Sequence, residues 1–174
     1  MHYSTYPAPT GKITLASDGE NLCGLWNGDH KYIYKDMGKR DGLPIFDAAK
    51  KWLDKYYAGG KPSIKELPLA PAGSEFRQAV WKILCDIPYG ETVTYGDIAK
   101  TMAKKMNIPK MASQAVGGAV GHNPISIIIP CHRVVGTNGS LTGYGGGIKI
   151  KIKLLEHEGV DMSRFFIPAK GTAL

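Results

Sequence analysis

The segment Lys61–Gly73 constrains the fold more than any other part of the 174-residue chain. It contains three prolines and a terminal glycine, Pro62, Pro68, Pro71 and Gly73. Proline fixes φ and lacks a backbone N–H, so neither a helix interior nor a central strand tolerates this spacing. We therefore predict a linker here and two domains, residues 1–73 and 74–174.

The first half is predicted to be a small sheet followed by one helix. Short β-type segments at Ile13–Ala16 and Lys31–Tyr34 are separated by the turn sequences Asp18-Gly19 and Asn27-Gly28-Asp29. An amphipathic helix follows, because apolar residues recur at helical spacing until Gly59-Gly60. The recurring residues are Ile45, Ala49, Trp52, Leu53 and Tyr56.

The second half is predicted to be mainly helical. Ser74 is a candidate N-cap for a first helix, which Pro88-Tyr89-Gly90 ends. Thr94 and Asp97 have the spacing of a capping box, with Asp in place of the usual Glu. A second helix is therefore expected to begin near Tyr95.

A third helix is predicted from about Lys110 to Gly121, and it follows the second in a helix-turn-helix outline. The outline alone is weak evidence for DNA binding, because many small helical domains contain two such helices. Gly117-Gly118 costs the helix roughly 1 kcal/mol per glycine relative to alanine. We expect this face to allow a close backbone approach, by either a neighbouring helix or a nucleic-acid groove.

Ile125–Ile129 is almost wholly apolar and is predicted to be a strand or extended segment buried on both faces. It leads directly into Pro130-Cys131-His132-Arg133. A tight turn, a glycine-rich loop able to approach a ligand, and a last helix are then expected in this order. They correspond to Asn138-Gly139, Gly143–Gly147, and Ile148–Leu155 with Gly159 as the stop.

Composition excludes a disordered or fibrous chain, since 43% of the residues are hydrophobic and 21% are charged. The apolar runs are far shorter than the roughly 20 residues that a membrane helix needs. The first fifteen residues lack the continuous apolar core of a signal peptide, so we expect a cytoplasmic protein. A net charge of +7 favours polyanionic partners such as nucleic acid.

The chain has three cysteines, Cys23, Cys85 and Cys131, without a Cys-x-x-Cys pair. An odd number at wide spacing predicts free thiols in a reducing compartment. We expect Cys23 and Cys85 to be small buried hydrophobic residues. Cys23 and His30 are too few to form a zinc site, so no metal is predicted.

Cys131 is the candidate nucleophile. A thiol reacts as a thiolate, which a nearby base or positive charge favours, and His132 and Arg133 follow directly. In an extended chain adjacent side chains point to opposite sides, so His132 would act through a water. The alternative is that Cys131 is another buried hydrophobic residue. Spacing leaves the carboxylate that orients the imidazole open among Asp86, Asp97, Glu156 and Glu158.

The motifs around this cysteine resemble those of the methylated-DNA–protein-cysteine methyltransferase family. The resemblance is dense from about Ser74 to Gly159, whereas residues 1–73 match in length and coarse pattern. The motifs are Gly121-His122-Asn123-Pro124, Ile129-Pro130-Cys131-His132-Arg133-Val134, Gly143-Tyr144 and Leu154-Leu155-Glu156-His157-Glu158-Gly159.

The resemblance implies an α+β fold, with a small ribonuclease H-like domain of sheet and helix before a mainly helical domain with a helix-turn-helix. It implies a monomeric DNA-repair protein that binds alkylated double-stranded DNA through the minor groove and flips O6-alkylguanine out of the stack. Cys131 would accept the alkyl group in a single turnover from O6-methylguanine, and from O4-methylthymine. Neither S-adenosylmethionine nor another cofactor is implied.

The resemblance also implies a role for each site residue. His132 would be the water-mediated base, Glu158 would orient it, and Asn123 would brace the cysteine segment. Tyr95 would donate to the departing base, while the carbonyls of Cys131 and Val134 would read the guanine edge. Tyr144, Gly145 and Lys151 would line the substrate pocket, and Thr94, Gln114, Ala115 and Arg133 would contact DNA.

Two features depart from the family pattern. Gln114 stands where members commonly carry an arginine that enters the duplex in place of the flipped base. Flipping is therefore expected to survive with a weaker hold on DNA. The connection Lys100–Pro109 is longer than the commonest pattern, and its lysines are candidate phosphate contacts or a solvated basic face. These are Lys100, Lys104 and Lys105, with Lys110 just beyond.

Two other functions fit parts of the sequence. A lesion-recognising protein of the alkyltransferase-like kind would bind DNA without catalysis, but such proteins replace the cysteine that is present here as Cys131. A cysteine hydrolase could use Cys131 and His132. Hydrolases of that kind usually bring the histidine from a distant part of the chain, and no oxyanion-hole signature is visible.

Overall fold

The structure is a computed structural model that describes residues 1–28 and 37–169. These residues form two compact units. The first comprises 1–72 and 124–128, and the second comprises 73–123 and the described residues from 129 onward. The segment 124–128 thus joins the first unit, whereas a single division at residue 73 puts it in the other half. The β-type segment expected at Lys31–Tyr34 lies outside the described residues.

The first unit contains a four-stranded sheet of order β3-β2-β1-β4. Antiparallel pairing joins β2 to both β1 and β3, whereas β4 is parallel to β1. The strands are β1 His2–Ala8, β2 Gly11–Ser17, β3 Leu22–Asn27 and β4 Gly38–Lys39. The β-type segment expected at 13–16 is therefore confirmed, and β2 is buried from Ile13 to Ser17 because it lies inside the sheet.

Turn chemistry at Asp18 sets the register of the β2–β3 hairpin. The Asp18 carboxylate accepts hydrogen bonds from the backbone N–H groups of Glu20 and Asn21 at 2.9 and 2.7 Å. Gly19 has a φ of 117°, which a residue with a side chain rarely adopts. The predicted turn at this position is confirmed.

Two short segments cover the outer edge of β3. The N–H of Leu22 donates to Pro68 O at 2.9 Å, and the N–H of Leu25 donates to Pro124 O at 2.8 Å. An uncovered edge strand presents unpaired backbone groups to other chains. The proline-containing linker and the segment 124–128 therefore contribute backbone partners to the first unit.

Helix α1, Pro44–Tyr57, packs on the sheet of the first unit. Its buried face is the one that the apolar spacing predicts, and the helix ends before Gly59, whose φ is 85°. Pro44 occupies the first turn, where a missing N–H has no cost. The helix prediction is confirmed.

Helix α2, Glu75–Cys85, and helix α3, Tyr95–Lys105, begin where their caps predict. The Ser74 hydroxyl accepts from the N–H of Arg77 at 3.4 Å. Thr94 and Asp97 form a reciprocal capping box, with the Asp97 N–H donating to Thr94 Oγ1 at 3.1 Å. No helix among residues 1–28 and 37–169 is both long and apolar enough to cross a membrane.

Helix α4, Ser113–Gly121, packs against α2 and α3. It begins three residues later than expected, because Ala112 has an extended conformation and the chain from Met106 to Ala112 is an irregular connection. The Trp81 indole N–H of α2 donates to Ala119 O of α4 at 2.9 Å inside the core. The helix-turn-helix pair is thus α3 and α4.

The strand or extended segment expected at Ile125–Ile129 is wrong, because the chain turns within it, although the burial of its isoleucines is right. Only Ile125 forms a β-bridge, to Leu25, and residues 126–128 turn. Ile127 has a φ of 70°, and the N–H of Ile128 donates to Ser126 O at 2.8 Å, which closes a γ-turn. A β-branched residue rarely adopts this conformation. The sequence therefore gives no sign of the turn, and its apolar content predicts a strand.

The second unit also contains two short parallel strands, a last α-helix and a 3₁₀ turn at Met162–Arg164. The strands are β5 Val93–Thr94 and β6 Val134–Val135, and the helix is α5 Ile148–His157. The predicted helix over the Ile–Lys alternation is confirmed, and Gly159 stops it with a φ of 76°. Residues Cys131–Arg133 form one turn of 3₁₀ helix directly before β6.

Candidate active site

The backbone before Cys131 is held by two hydrogen bonds to one carbonyl. Ile129 O accepts from the Asn123 side-chain amide and from the Cys131 N–H, both at 2.8 Å. Pro130, between them, has φ −82° and ψ 63°, the geometry of an inverse γ-turn. Because proline restricts φ to near this value, the turn that presents Cys131 is formed before any ligand arrives. The Asn123 contact is the one that its predicted bracing role requires.

Cys131 is buried, with 4% of its surface exposed. Cys23 and Cys85 are only partly buried, so the expectation that both are buried is wrong. The premise of an extended chain here is wrong, because Cys131–Arg133 is a 3₁₀ turn. Successive side chains of such a turn point about 120° apart. The water-mediated relation between Cys131 and His132 stays a prediction.

His132 is fully buried, and its imidazole lies on the carboxylate of Glu158. His132 Nε2 and Glu158 Oε1 are 2.6 Å apart. Of the four carboxylates that spacing left open, Glu158 is therefore the one in contact with the imidazole. It comes 26 residues later, in the C-cap position of α5.

Three other donors point at the same carboxylate. Arg133 donates through Nε to Glu158 Oε2 at 2.9 Å and through Nη2 to Oε1 at 3.0 Å. The N–H of Gly90 donates to Oε2 at 3.0 Å. Burial by itself raises the pKa of Glu158, but the hydrogen bonds from His132 and Arg133 outweigh it and hold the pKa well below its ordinary range. Glu158 is therefore ionised at neutral pH.

An ionised carboxylate can only accept, so His132 Nε2 is the donor of the 2.6 Å hydrogen bond. Burial lowers the pKa of His132 despite Glu158, so the ring is neutral. The neutral tautomer with Nε2–H carries its lone pair on Nδ1. That atom is buried and has no hydrogen-bond partner among the described residues. The pair thus leaves a basic nitrogen free in the interior.

Lys151 is also fully buried. Its ammonium donates to Val134 O at 2.5 Å and to Thr142 O at 2.9 Å. Burial lowers the pKa of Lys151 to about 8, and the charge of a Cys131 thiolate opposes that shift. Lys151 therefore lies close enough to Cys131 to favour the thiolate.

Tyr95, at the start of α3, contacts the loop that contains Thr142 and Gly143. Its hydroxyl donates to Thr142 O at 3.0 Å, so Thr142 O accepts from both Tyr95 and Lys151. Burial, with the nearby Cys131 charge second, raises the pKa of Tyr95, so the phenol keeps its proton at neutral pH. A Cβ on Gly143 would overlap the Tyr95 hydroxyl, and its φ of 85° also requires glycine.

A cavity of about 390 Å³ opens beside Tyr95, between α4 and the loop. Gln114 lines it and is exposed. A Cβ added at Gly117 would make ordinary contact with the Tyr95 ring, whereas a Cβ added at Gly118 would meet nothing within 4 Å. No neighbouring helix among the described residues approaches Gly118, so close approach by a nucleic-acid groove stays a prediction for this face. The remaining lining residues are Ser113, Thr142 and Gly143.

The other residues predicted to bind substrate or DNA lie in varied surroundings. Tyr144 is buried, while Gly145 and Ala115 are exposed. The Thr94 hydroxyl already takes part in the helix cap, since it donates to the Asp97 carboxylate at 2.6 Å. The predicted DNA contacts of these residues stay predictions.

Arg133 is buried, and its guanidinium also donates to Ile87 O at 2.6 Å. Its observed contacts hold Glu158 and the chain after α2, not the surface where a phosphate would lie. The DNA-contact role stays a prediction, and the contacts that the structure gives Arg133 are structural.

Sequence reasoning missed three participants, Thr142, Ile129 and Gly90, because each acts through a backbone group. Side-chain chemistry carries no signal for such a role. Gly143, in the loop predicted to approach a ligand, lines the cavity, and its bare backbone also accommodates the Tyr95 hydroxyl. No group of three or more His, Cys, Asp or Glu able to hold a metal occurs within residues 1–28 and 37–169.

These features define a class of protein: a buried cysteine beside a histidine–glutamate pair, on a helix-turn-helix unit that follows a small sheet unit. Two family comparisons assign the same class to nearly the whole chain. Residues 1–71 match the 6-O-methylguanine DNA methyltransferase ribonuclease-like domain, and residues 75–160 match the DNA binding domain of the same enzyme.

Similar proteins match more than nine-tenths of the chain. Methylated-DNA–protein-cysteine methyltransferases of Haemophilus influenzae and Methanosarcina acetivorans are 42% and 44% identical over 91% of this chain, covering 86% and 99% of theirs. The crystal structure of Mycobacterium tuberculosis OGT in complex with DNA matches with a TM-score of 0.79 and 43% identity, over 97% of this chain and 96% of that one. The chain belongs to the methylated-DNA–protein-cysteine methyltransferase family and is a DNA-binding methyltransferase of DNA repair.

Proposed function

We propose that the protein transfers the alkyl group of O6-methylguanine, and of O4-methylthymine, from duplex DNA to Cys131 in a single irreversible turnover. The observation that carries this proposal is the buried His132–Glu158 pair. His132 is the residue directly after Cys131, and its Nδ1 has no hydrogen-bond partner among the described residues. A neutral imidazole held this way is a base for a thiol proton.

The step is an in-line displacement at the alkyl carbon. The Cys131 proton passes to His132 Nδ1 through a water, the thiolate forms an S–C bond, and the C–O6 bond breaks. The guanine anion that leaves is protonated by the Tyr95 hydroxyl, which keeps its proton at neutral pH because its pKa is raised. Lys151 stabilises the thiolate before transfer, and its charge is available to the phenolate afterwards.

The damaged base would enter the 390 Å³ cavity beside Tyr95. Val134 O accepts from Lys151, and Cys131 O accepts from the Val134 N–H. These two carbonyls would also read the guanine edge. Gln114 lies at the mouth of this cavity, where it would fill the space that the flipped base leaves. The cost of extrusion is a few kcal/mol, and it is lowest for a base with weakened pairing.

The product is a thioether, which water does not cleave, so each molecule reacts once. No S-adenosylmethionine is required, because the DNA itself supplies the alkyl group. A monomer suffices, since every residue proposed to act lies in one unit of one chain. A cytoplasmic location suits the free thiols, which a reducing compartment preserves.

Intact-protein and peptide mass spectrometry after incubation with excess O6-methylguanine duplex tests the proposal. Unmodified duplex is the control for the DNA, and Cys131→Ala is the control for the site. A gain of one methylene on Cys131 that stops at one equivalent is expected, with Cys131→Ala still binding lesion duplex. Tight lesion binding without any mass gain would instead identify a non-catalytic lesion-recognition protein.

A further inference from the structure

One long stretch of the second unit carries positive charges and no negative ones. The stretch from Ile98 to Leu155 contains eight Lys or Arg residues and no Asp or Glu. Arg133 and Lys151 are buried in the candidate active site, while the other six are exposed. Four of these six lie at the end of α3 and in the connection to α4, namely Lys100, Lys104, Lys105 and Lys110. Such a surface attracts polyanions.

Three of these lysines line a cavity of about 690 Å³ between α3 and the connection, here called the lysine cavity. Lys100, Lys104 and Lys110 lie along it, and its apolar lining includes Ala99, Ala103, Ile108, Pro109 and Met111. An apolar wall with cationic groups suits a sugar–phosphate chain, because sugars pack on carbon and phosphates need charge.

A carboxylate lies near one of the three lysines. Asp97 is 3.9 Å from Lys100, with 57% and 84% of the two side chains exposed. An exposed pair at this distance contributes little, and Asp97 is already held by the capping box with Thr94. The positive charge of the lysine cavity is therefore largely uncompensated.

The N-terminus of α4 adds to this charge. Ala112, its N-cap, has no side chain that can accept a hydrogen bond from the first turn. The N–H groups of the first turn and the positive end of the dipole of this nine-residue helix lie beside Ser113, which lines the lysine cavity. One of these groups, the Ala115 N–H, donates to Ala112 O at 3.1 Å. Lysines and the N-terminus of a helix at one place attract a phosphate more strongly than either alone.

Ser113 also lines the cavity beside Tyr95, so the two cavities meet at the start of α4. Tyr95 lines one cavity and its neighbour Gly96 lines the other. A strand whose base occupied the first cavity would therefore continue into the second. This continuity distinguishes the three cavity lysines from the exposed Lys149 and Lys153 of α5, which line neither cavity.

We propose that the lysine cavity binds the phosphodiester backbone of duplex DNA next to the extruded nucleotide. It supplies an electrostatic hold independent of base sequence, at a site where the neutral Gln114 supplies none. The proposal rests on the proposed function, since it takes the cavity beside Tyr95 as the place of the damaged base.

The test compares two triple variants with equal change in charge. Lys100→Gln, Lys104→Gln and Lys110→Gln remove the cavity lysines. The control removes three exposed lysines elsewhere, Lys51→Gln, Lys65→Gln and Lys82→Gln. Binding of the full chain to a 20-base-pair duplex, with and without O6-methylguanine, is measured by anisotropy between 50 and 200 mM KCl.

The slope of log K against log salt is about 0.9 per phosphate contact. We expect the cavity variant to have a slope shallower by about 2 to 3 on both duplexes, and the control to keep the wild-type slope. A cavity variant with an unchanged slope overturns the proposal. Equal flattening in the control also overturns it, since the effect would then be one of net charge. A Lys→Arg triple variant at the cavity should retain the slope.

Methylation of Cys131 at saturating lesion duplex separates this proposal from the proposed function. If the cavity variant is methylated fully but its salt slope is unchanged, the lysine cavity is not a DNA site and alkyl transfer stands. If the wild type is not methylated at all, the proposed function fails irrespective of the slopes. Thermal melts of both triple variants should match the wild type, because all six side chains are exposed.

Discussion

Replacing Glu158 by Gln should destabilise the protein by about 4 kcal/mol. The carboxylate accepts four hydrogen bonds, from Gly90, His132 and twice from Arg133, at 2.6 to 3.0 Å. Glutamine offers one oxygen and a donating amide, so about two of the four donors lose an acceptor. Each hydrogen bond to a charged group contributes roughly 1.5–3 kcal/mol, and breaking a buried ion pair costs about 3–5 kcal/mol.

Urea unfolding monitored by circular dichroism measures this loss, with Glu156→Gln as the matched control. Glu156 is an exposed carboxylate two residues earlier, so its replacement should change the unfolding free energy by no more than about 0.5 kcal/mol. A loss below about 1 kcal/mol for Glu158→Gln, or one equal to that of the control, would refute the assignment of Glu158 as the charged centre of a buried network.

The same pair of proteins has an expected pH dependence. The pKa of Glu158 is lower in the folded state than the ordinary value of 4.5, so its stabilising contribution is complete above that value. As the pH falls below about 4.5, the unfolded state binds a proton that the folded state does not. The stability difference between wild type and Glu158→Gln should therefore shrink with acidification. A constant difference from pH 7 to pH 3 would contradict the lowered pKa.

Four further outcomes follow from the site. Lys151 has a pKa of about 8 against an ordinary 10.5, so the wild type should gain stability relative to Lys151→Met as the pH rises through this interval, and a flat difference in urea midpoints would exclude the shift. Tyr95→Phe should slow alkyl transfer about 100-fold in single-turnover assays while lesion binding is retained; an unchanged rate would remove Tyr95 as the acid. Asn123→Ala should cost about 0.5–1.5 kcal/mol, because the Ile129 carbonyl loses one of its two donors and keeps the Cys131 N–H, and a neutral effect on unfolding would show that the brace is dispensable. Gln114→Arg should tighten binding to lesion duplex in anisotropy titrations, whereas weaker or equal binding would count against the position assigned to Gln114.

Local features were predictable from the sequence where they depend on neighbours in the chain. The helix starts at Ser74 and Thr94 were correct, because each cap is completed by a backbone or side-chain group three residues away. The glycine stops after α1 and α5 were also correct, because the positive φ that ends each helix depends on the glycine itself. The start of α4 was misplaced, because no capping side chain marks it.

The apolar run at Ile125–Ile129 shows the limit of pattern reasoning. Its burial followed from composition, but its path did not, since Ile127 occupies a conformation that its own side chain disfavours. Only the surrounding structure can hold a β-branched residue there. Local preference and tertiary context disagree at this point, and the context prevails.

The sequence by itself determined the order of the helices, the free thiols and, through the motif around Cys131, the family to which the chain belongs. The tertiary structure alone decided which carboxylate meets His132, that Arg133 faces inward onto Glu158, and that Lys151 is buried between two carbonyls. Caps and turns are made within a few residues, so short-range sequence specifies them. Partners separated by 17 to 26 residues meet only through the path of the whole chain, and burial of their charges then sets their pKa values.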